Sequence, residues 1–299
     1  YTLLRPLGAG GMAEVDLALM RSVAGFEKLV VIKRMLQSSR SDAPLVELFL
    51  HEARIAAALN HPNIVQVYDA GVHDGAPYIA MEYVPGIDVR ALLHRLRVSG
   101  EGTLPLEVAV TLASGVLAGL SYAHERRALD GAPLRIVHRD ISPPNVLVSY
   151  GGHVKVADFG IAQSGVPAPC AGHLRGKAPY MSPEQARGEA VDARSDLFSV
   201  GILLFELTTG RRLFRAATEW ETMRLICRQP YPRPSEVTPG YPPALEAIVL
   251  RALARERGQR YGSARAMLAE LESFAREHGL AASSLTLASY VRALFADEQ

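Results

Sequence analysis

The stretch that decides the fold runs from Ile136 to Gly160 and reads IVHRDISPPNVLVSYGGHVKVADFG. It holds two short motifs: HRD, with an Asn five residues after the Asp, and DFG, which lies within a run of β-type residues. The fixed residues are His138, Arg139, Asp140, Asn145, Asp158, Phe159 and Gly160. If each residue type has a frequency of about 1/20, seven such positions coincide by chance in roughly 10⁻⁹ of frames. Coincidence can therefore be set aside.

The polar side chains of these two motifs suit chemistry on a hydroxyl group beside a metal ion. Asp140 supplies a carboxylate that can orient and deprotonate a hydroxyl. Asn145 and Asp158 supply an amide oxygen and a second carboxylate, which are ligands that hard Mg²⁺ ions prefer. In the alternative these acids only cap turns, but turn capping gives no reason for their joint spacing.

A glycine-rich turn lies between two β-type runs near the start of the chain. It spans Gly8 to Val15 and reads GAGGMAEV. Missing side chains let backbone N–H groups approach phosphate oxygens. A tight hairpin that needs positive φ would look similar, so the turn alone leaves both interpretations open. Because a strand follows the glycines, the pattern argues against a dinucleotide-binding fingerprint, which needs a helix there.

One lysine interrupts an apolar strand. Lys33 ends the run VVIK, and a buried ammonium needs an anionic partner. Glu52 can supply that partner from the inward face of a predicted helix. Taken alone, a solvated surface lysine is the simpler interpretation, and only the company of the other motifs favours the buried pair.

The chain changes character after Pro85 and Gly86. Before this point, five short β-type runs predict five strands, and the apolar spacing from Ala43 to Leu59 predicts one amphipathic helix between the third and the fourth. After it, helical windows cover 89–98, 106–125, 191–209, 218–228, 243–255 and 263–278, with one more helix within 280–299. We therefore expect an α+β fold with a sheet lobe at 1–84, a mainly helical lobe at 85–278 and a helical extension at 279–299.

Composition excludes several classes of protein. The chain has 299 residues, of which 48% are hydrophobic, enough for a large buried core. Its 32 Lys and Arg nearly balance its 31 Asp and Glu, so no basic field favours nucleic acid as a partner. The most apolar stretch, Ser199 to Leu207, is too short to span a bilayer, so we expect no membrane segment within this chain. Cys170 and Cys227 lack companions at metal-ligand spacing, which fits a cytoplasmic location. The chain opens on Tyr1 rather than Met, which suggests the cytoplasmic domain of a longer protein.

In their order along the chain, the motifs resemble those of the eukaryotic-type (Hanks-type) Ser/Thr protein kinases of bacteria. The resemblance extends from Tyr1 to about His278. The resemblance implies the two-lobed protein-kinase fold. It also implies transfer of the γ-phosphoryl group of Mg-ATP to Ser/Thr hydroxyls of proteins in bacterial signalling, with Mn²⁺ as an alternative to Mg²⁺. The partners that it implies are a protein substrate and the kinase itself, through self-phosphorylation.

The resemblance also assigns roles by position. Asp140 would be the catalytic base, Lys33 paired to Glu52 would bind the α and β phosphates, and Asn145 and Asp158 would hold Mg²⁺. The nucleotide would contact the glycine-rich loop (Leu7, Gly8, Ala9, Gly10, Gly11, Met12, Ala13, Glu14, Val15), the gatekeeper Met81, the backbone of Glu82 and Val84, and the apolar walls Val31 and Leu147. Three further residues would be architectural. Asp196 would brace the catalytic loop (138–145), and Arg260 would pair with Glu184.

Three positions depart from the family pattern. Ser142 stands where these kinases carry a Lys that contacts the γ-phosphate, and Lys177 stands where a Thr supports the catalytic Asp. We hypothesise that the two residues exchange roles, with Lys177 reaching back toward Asp140; in the alternative, Lys177 points to solvent. Ala13 replaces the third glycine of the loop, a change that is tolerated unless φ is positive there.

The segment from Asp158 to Glu184 contains no Thr, and before Tyr180 its only hydroxyl is that of Ser164. Ordering of this segment by a phosphate is therefore not favoured, although Arg139 supplies the cation that would meet one.

Three rival functions stay open. A pseudokinase that serves as an ATP-binding scaffold is disfavoured because the base and both metal ligands are retained. A small-molecule phosphotransferase is disfavoured by Asp196 and the Ser182–Glu184 segment, which resemble peptide-binding parts of protein kinases. Tyr as the acceptor stays open because the Lys that would favour Ser/Thr is missing at Ser142.

Overall fold

The computed structural model describes residues 1–10, 12–22, 25–100, 102–128, 130–159 and 178–296. Its smaller lobe is an antiparallel sheet with strand order β1-β2-β3-β5-β4. The strands are β1 (Thr2–Ala9), β2 (Ala13–Arg21), β3 (Glu27–Met35), β4 (Val67–His73) and β5 (Ala76–Glu82). The five expected strands are confirmed.

Helix α1 (Ala43–Ala57) packs on this sheet. It begins where the Asp42 carboxylate accepts a hydrogen bond from the Leu45 N–H, which satisfies one of the free donors of the first turn. Its apolar face buries Phe49 and Ala53 in a cluster with residues of β3 and β5. The amphipathic spacing therefore predicted this helix correctly, to within two residues of its end.

The larger lobe is mainly helical. Its central helix, α5, has almost no exposed side chain, because its sequence is apolar on all sides, as is typical of a core helix. The helices are α2 (Val89–Ser99), α3 (Leu106–His124), α4 (Pro183–Ala186), α5 (Ala193–Thr209), α6 (Glu219–Arg228), α7 (Pro234–Val237), α8 (Pro243–Ala252), α9 (Ala264–Glu277) and α10 (Ser284–Leu294). The helical windows expected from the sequence are all occupied by helices.

A second, three-stranded sheet was not expected. It consists of β6 (Gly86–Asp88), β7 (Val146–Ser149) and β8 (Val154–Val156) in the order β6-β7-β8. Strands of three or four residues are too short for alternation to be visible in the sequence. Asn145 directly precedes β7 and Asp158 follows β8, so the pairing of these two strands brings the two residues to the same end of the sheet.

The C-terminal helix belongs to the core of the larger lobe. Leu287 and Val291 of α10 are fully buried, and the Arg95 Nε of α2 donates a 3.1 Å hydrogen bond to the Leu294 carbonyl. Among the helices described, α3 alone is long and apolar enough to cross a membrane by length and composition, and about half of that apolar window is buried inside the protein, as in a core helix.

Candidate active site

Lys33 joins the two lobes. Its Nζ lies 2.7 Å from Oε1 of Glu52 on α1 and 3.0 Å from Oδ1 of Asp158, which follows β8. The Lys33 and Glu52 side chains are 11% and 6% exposed, whereas Asp158 is 42% exposed. One ammonium thus brings together the three charged residues that the sequence predicted to act on the nucleotide.

The charges around Lys33 keep it protonated. Burial alone would lower the pKa of Lys33, but the carboxylates of Asp158 and Glu52 outweigh it, so that the pKa lies above its ordinary value. A buried cation is tolerated only when such partners compensate for lost hydration. Lys33 is therefore a fixed positive charge between the two lobes, and the surface-lysine alternative is wrong.

Asp140 is held by Asn145. The Asn145 Nδ2 donates to the Asp140 carbonyl oxygen at 2.9 Å and to its Oδ2 at 2.8 Å. Asn145 reaches Asp140 from the end of a tight 3₁₀ turn, Pro143–Asn145, where its own N–H donates to the Ser142 carbonyl oxygen. The carboxylate of Asp140 consequently has a fixed direction, and the Asn145 amide oxygen is left for another ligand.

Two residues of the site have left-handed backbone conformations. Arg139 has φ of 65° and Asp158 has φ of 58°, which costs about 1–3 kcal/mol for a side-chain-bearing residue. Asp196 compensates at Arg139, because its two carboxylate oxygens accept hydrogen bonds from the N–H groups of His138 and Arg139 at 2.8 and 2.7 Å. The predicted bracing of the catalytic loop by Asp196 is thus present in the structure.

His124 completes this brace and escaped the sequence analysis. Its Nε2 lies 2.8 Å from Oδ2 of Asp196. Burial alone would raise the pKa of Asp196, but the hydrogen bond and charge of His124, the charge of His138 and the Arg139 N–H together lower it. Asp196 is therefore held as a buried carboxylate, and a single His at a helix end carries no signal that could have revealed the contact.

The glycine-rich loop leaves its backbone open. The Gly10 N–H donates to the Ala13 carbonyl at 2.7 Å and closes the turn. A Cβ added to Gly8 would meet nothing within 4 Å, and neither Gly8 nor Gly10 has φ in the left-handed region. The glycines thus provide room for a ligand close to the backbone rather than unusual φ angles. Ala13 has no positive φ either and is buried at the start of β2, so its methyl group is tolerated as expected.

Strand register places the expected nucleotide wall on one face of the sheet. Val15 is opposite Lys33, and Val31 is opposite Met81, so that all four side chains share a face. Leu7, Ala9 and Glu14 lie at the ends of β1 and β2 beside the loop, and Met12 lies in the loop itself. Leu147 lies on β7 of the other sheet.

The expected adenine site has one backbone donor already in use. The Glu82 N–H donates to the Gln66 carbonyl at 2.8 Å, which leaves only the Glu82 carbonyl as a candidate for adenine. Val84, two residues on, follows the end of β5. The Glu82 side chain accepts a 2.9 Å hydrogen bond from the Lys155 Nζ on β8, so the end of β5 is bonded to the larger lobe as well.

Behind the catalytic loop, Glu184 and Arg260 form a buried pair. The Arg260 guanidinium donates two hydrogen bonds of 2.8 Å to the two carboxylate oxygens, and the Ser195 Oγ donates a third at 2.6 Å. Burial alone would raise the pKa of Glu184, but these bonds lower it. The neighbouring Gln185 Nε2 donates to the Arg139 carbonyl at 2.8 Å, which links this region to the catalytic loop.

Ser142 occupies the place of the missing Lys. It is buried, and its hydroxyl donates a long hydrogen bond of 3.4 Å to the Asp140 carbonyl. Several positions discussed above lie outside the described residues: Gly11, Gly160, Ser164, Cys170 and Lys177.

The residues present fit Mg²⁺ and a nucleotide. Asn145 and Asp158 offer oxygen ligands within one segment, and Mg²⁺ is commonly held by one or two protein ligands together with phosphate and water. Within the ranges described, no three His, Cys, Asp or Glu side chains form a metal cluster, and such a magnesium site needs none. The open backbone at Gly8 and the ammonium of Lys33 are groups that suit phosphate oxygens.

Comparison with known proteins agrees with this geometry. A family model described as a protein kinase domain matches residues 1–271. Among curated relatives, tyrosine-protein kinase MasK of Myxococcus xanthus is 41% identical over 100% of this chain and 46% of its own length. Serine/threonine-protein kinase PrkC of Bacillus subtilis is 34% identical over 91% of this chain and 40% of its own length. The chain therefore spans less than half of each of these relatives.

A solved structure gives the same result for the fold. The kinase domain of PknI from Mycobacterium tuberculosis is 28% identical, with a TM-score of 0.67, and the match covers 91% of this chain and 95% of the other. Relatives named as serine/threonine-protein kinases also include PknB of Mycobacterium tuberculosis, 37% identical over 91% of this chain. The chain belongs to the protein kinase family, among relatives that include bacterial serine/threonine kinases.

Proposed function

We propose that this chain is an active protein kinase domain that transfers the γ-phosphoryl group of ATP, bound with Mg²⁺ or Mn²⁺, to Ser/Thr hydroxyls of proteins in bacterial signalling. One observation carries the proposal: Lys33 bonds both Glu52 and Asp158, at 2.7 and 3.0 Å. In this proposal, Lys33 is the phosphate-binding cation and Asp158 is the metal-binding carboxylate, and their contact supports the alignment of the two lobes that phosphoryl transfer requires.

Each residue has a defined task in this proposal. Asp140, fixed by Asn145, orients the acceptor hydroxyl and accepts its proton. Lys33 binds the α and β phosphates, while the backbone of Gly8 to Val15 covers them. Asn145 and Asp158 hold the metal, which when bound supplies positive charge to the phosphate oxygens. Leu7, Val15, Val31, Met81 and Leu147, with the backbone of Glu82 and Val84, would enclose the adenine.

The intact set of residues supports an enzyme rather than a scaffold. A module that only binds ATP needs neither a base nor the Asn145 bonds that orient it. The buried brace of Asp196, which offsets the strained φ of Arg139, would likewise be costly to keep without a catalytic role. These contacts support catalysis over the pseudokinase alternative.

Ser/Thr specificity rests on resemblance to relatives such as PrkC and PknB, which are named serine/threonine-protein kinases. Tyr is the second candidate acceptor, because MasK is named a tyrosine-protein kinase and because Ser142 replaces the usual Lys. The substrate is proposed to be a protein, with self-phosphorylation, in the cytoplasm. The functional division is proposed as 1–84 for ATP, 85–278 for catalysis and substrate, and 279–299 as an extension.

Phosphosite mapping tests this proposal. Purified protein is incubated with Mg-ATP, alone and with generic protein substrates, beside an Asp140→Asn variant, and phosphosites are mapped by mass spectrometry. We expect phosphoserine or phosphothreonine that appears with wild type and is absent with the variant. Sites on Tyr alone would support the second acceptor, and identical spectra from both proteins would contradict the kinase proposal.

A further inference from the structure

A pocket beside the catalytic loop is rimmed by four arginines that the mechanism above does not use. We call it the arginine pocket; its rim is Arg90 and Arg97 of α2 and Arg211 and Arg212, which follow α5. All four side chains are exposed at the surface. Positions this far apart in sequence are brought together only by the packing of the larger lobe.

Three of these arginines could bind an anionic ligand, because their guanidinium groups do not pair with a described carboxylate. The Arg90 guanidinium donates to the Asp88 carboxylate at 3.0 Å, which partly neutralises it. No side-chain hydrogen bond or ion pair to another part of the chain that the structure describes is formed by Arg97, Arg211 or Arg212. Several guanidinium groups around a concavity favour an anionic ligand, because their planar donors match carboxylate and phosphate.

The floor of the pocket is a buried pair. The Tyr180 hydroxyl donates to Oε2 of Glu206 at 2.6 Å, and Oε1 of Glu206 has no hydrogen-bond partner among the residues described. Burial raises the pKa of Glu206, against which Tyr180, Arg212 and Arg97 act only partly. Among the described residues that line the pocket, Glu206 is the one carboxylate, and four arginines outnumber it.

The pocket lies close to the proposed base. Pro143 lines it and is three residues after Asp140, in the same turn as Asn145. Three residues of chain reach at most about 11 Å, so the Cα atoms of Asp140 and Pro143 lie within that distance. An extended peptide covers about the same length in three residues. A peptide whose hydroxyl faces Asp140 can therefore place a nearby side chain in the pocket.

We propose that the arginine pocket selects protein substrates that carry an anionic side chain, a carboxylate or a phosphate, a few residues from the acceptor hydroxyl. The inference rests on the proposed kinase function and adds the substrate class to it. An acidic side chain would bridge Arg97, Arg211 and Arg212, whereas a basic side chain would face four like charges. Repulsion of the wrong charge is as effective a source of specificity as attraction of the right one.

A peptide set tests the proposal. The peptides share one acceptor, of the type found by phosphosite mapping, and carry Ala, Glu, phosphoserine or Arg at each position within four residues on either side. At one or more positions, we expect kcat/KM for Glu or phosphoserine to exceed that for Ala about tenfold, the size expected of two or three exposed ion pairs, and Arg to fall below Ala. A larger effect of phosphoserine would identify phosphorylated substrates, and an equal or smaller one would identify acidic substrates; both support the pocket.

Charge reversal locates the preference. In an Arg211→Glu/Arg212→Glu double variant, the ratio of kcat/KM for the Glu peptide to that for the Arg peptide should invert. The matched control is Arg292→Glu, on the exposed side of α10, which should keep the wild-type ratio. The wild-type ratio should also fall as salt is raised, since exposed charges are screened. If the arginines only offset the charge of Glu206, the double variant will be less stable but its ratio will not change.

The outcomes separate the two proposals. Phosphorylation that depends on Asp140 but shows no preference for acidic peptides, or prefers basic ones, would overturn the pocket and leave the kinase function intact. Absence of transfer to any peptide or protein would overturn both.

Discussion

The Lys33 Nζ donates a 2.7 Å hydrogen bond to Oε1 of Glu52, which joins β3 to α1 inside the smaller lobe. The same Nζ bonds Asp158, which belongs to the larger lobe. The pair therefore depends on the position of the helix and on the alignment of both lobes. Because phosphoryl transfer relies on positioning and on fixed charge, this contact is the part of the structure most closely tied to activity.

Lys33→Met should abolish most phosphoryl transfer. The variant removes the cation that would bind the phosphates and its bond to the buried Glu52, so we expect a loss of about 10² to 10³ in kcat/KM for ATP. Steady-state kinetics with a protein substrate measures the loss. The matched control is Lys28→Met on the same strand, whose exposed side chain contacts Tyr68. Equal activity of the two variants would contradict the role of Lys33.

Arg260→Met should destabilise the larger lobe. It leaves the Glu184 carboxylate, which is 2% exposed, without its bidentate partner, and removal of one member of such a pair costs about 3–5 kcal/mol. Urea unfolding followed by circular dichroism measures the change. The control is Arg265→Met, which breaks an exposed pair with Glu125 and should cost about 1 kcal/mol or less. Similar unfolding midpoints for the two variants would show that burial of the Arg260 pair has no special effect.

Glu206→Gln should stabilise the protein in a pH-dependent way. Since burial raises the pKa of Glu206, its ionised form is disfavoured in the folded state. The wild type therefore loses stability as pH rises from the ordinary carboxyl pKa of about 4.3 through the raised value, whereas Gln does not titrate. The carboxamide oxygen can still accept the Tyr180 hydrogen bond. Unfolding midpoints at about pH 8 should be higher for the variant, and the gain should shrink toward pH 4; a variant less stable than wild type at about pH 8 would refute this account.

Lys177→Ala tests the exchange of roles that the sequence suggests. If Lys177 supplies the cation missing at Ser142, the variant should lose about 10² to 10³ in turnover, the usual cost of one transition-state donor. Adding Ser142→Lys to that variant should restore part of the rate. Ser142 lies next to the Asp140 carbonyl, so a cation introduced there starts close to the base. Unchanged turnover in the Lys177→Ala variant would refute the exchange.

Much of the smaller lobe and the charged centre could be predicted because the signals are local or linked by fixed spacing. The pairing of Lys33 with Glu52 was expected from the sequence and is present in the structure. The hydrogen bond from Asn145 to Asp140 was not expected, because Asn145 was predicted only as a metal ligand. The apolar period from Ala43 onward gave α1 directly, because amphipathic spacing follows from packing on one face.

Other features depend on packing between distant segments and left no local signal. His124 reaches Asp196 across 72 positions, and a lone His at a helix end is compatible with many roles. The strands β6 to β8 are too short to show a period. The arginine pocket is lined by residues of α2 and of the segment after α5, which are distant in sequence. The near-zero net charge of the whole chain gave no sign of this local group of positive charges.

Transfer of label from γ-labelled ATP tests the central claim most directly, measured for the wild type and for Asp140→Asn with ATP binding determined in parallel. The account predicts that the wild type produces labelled protein. The variant should produce no labelled protein but should still bind ATP, because only the base is removed. Equal labelling of both proteins, or ATP binding without labelling by either, would contradict the claim that Asp140, Lys33 and Asp158 form a working kinase site.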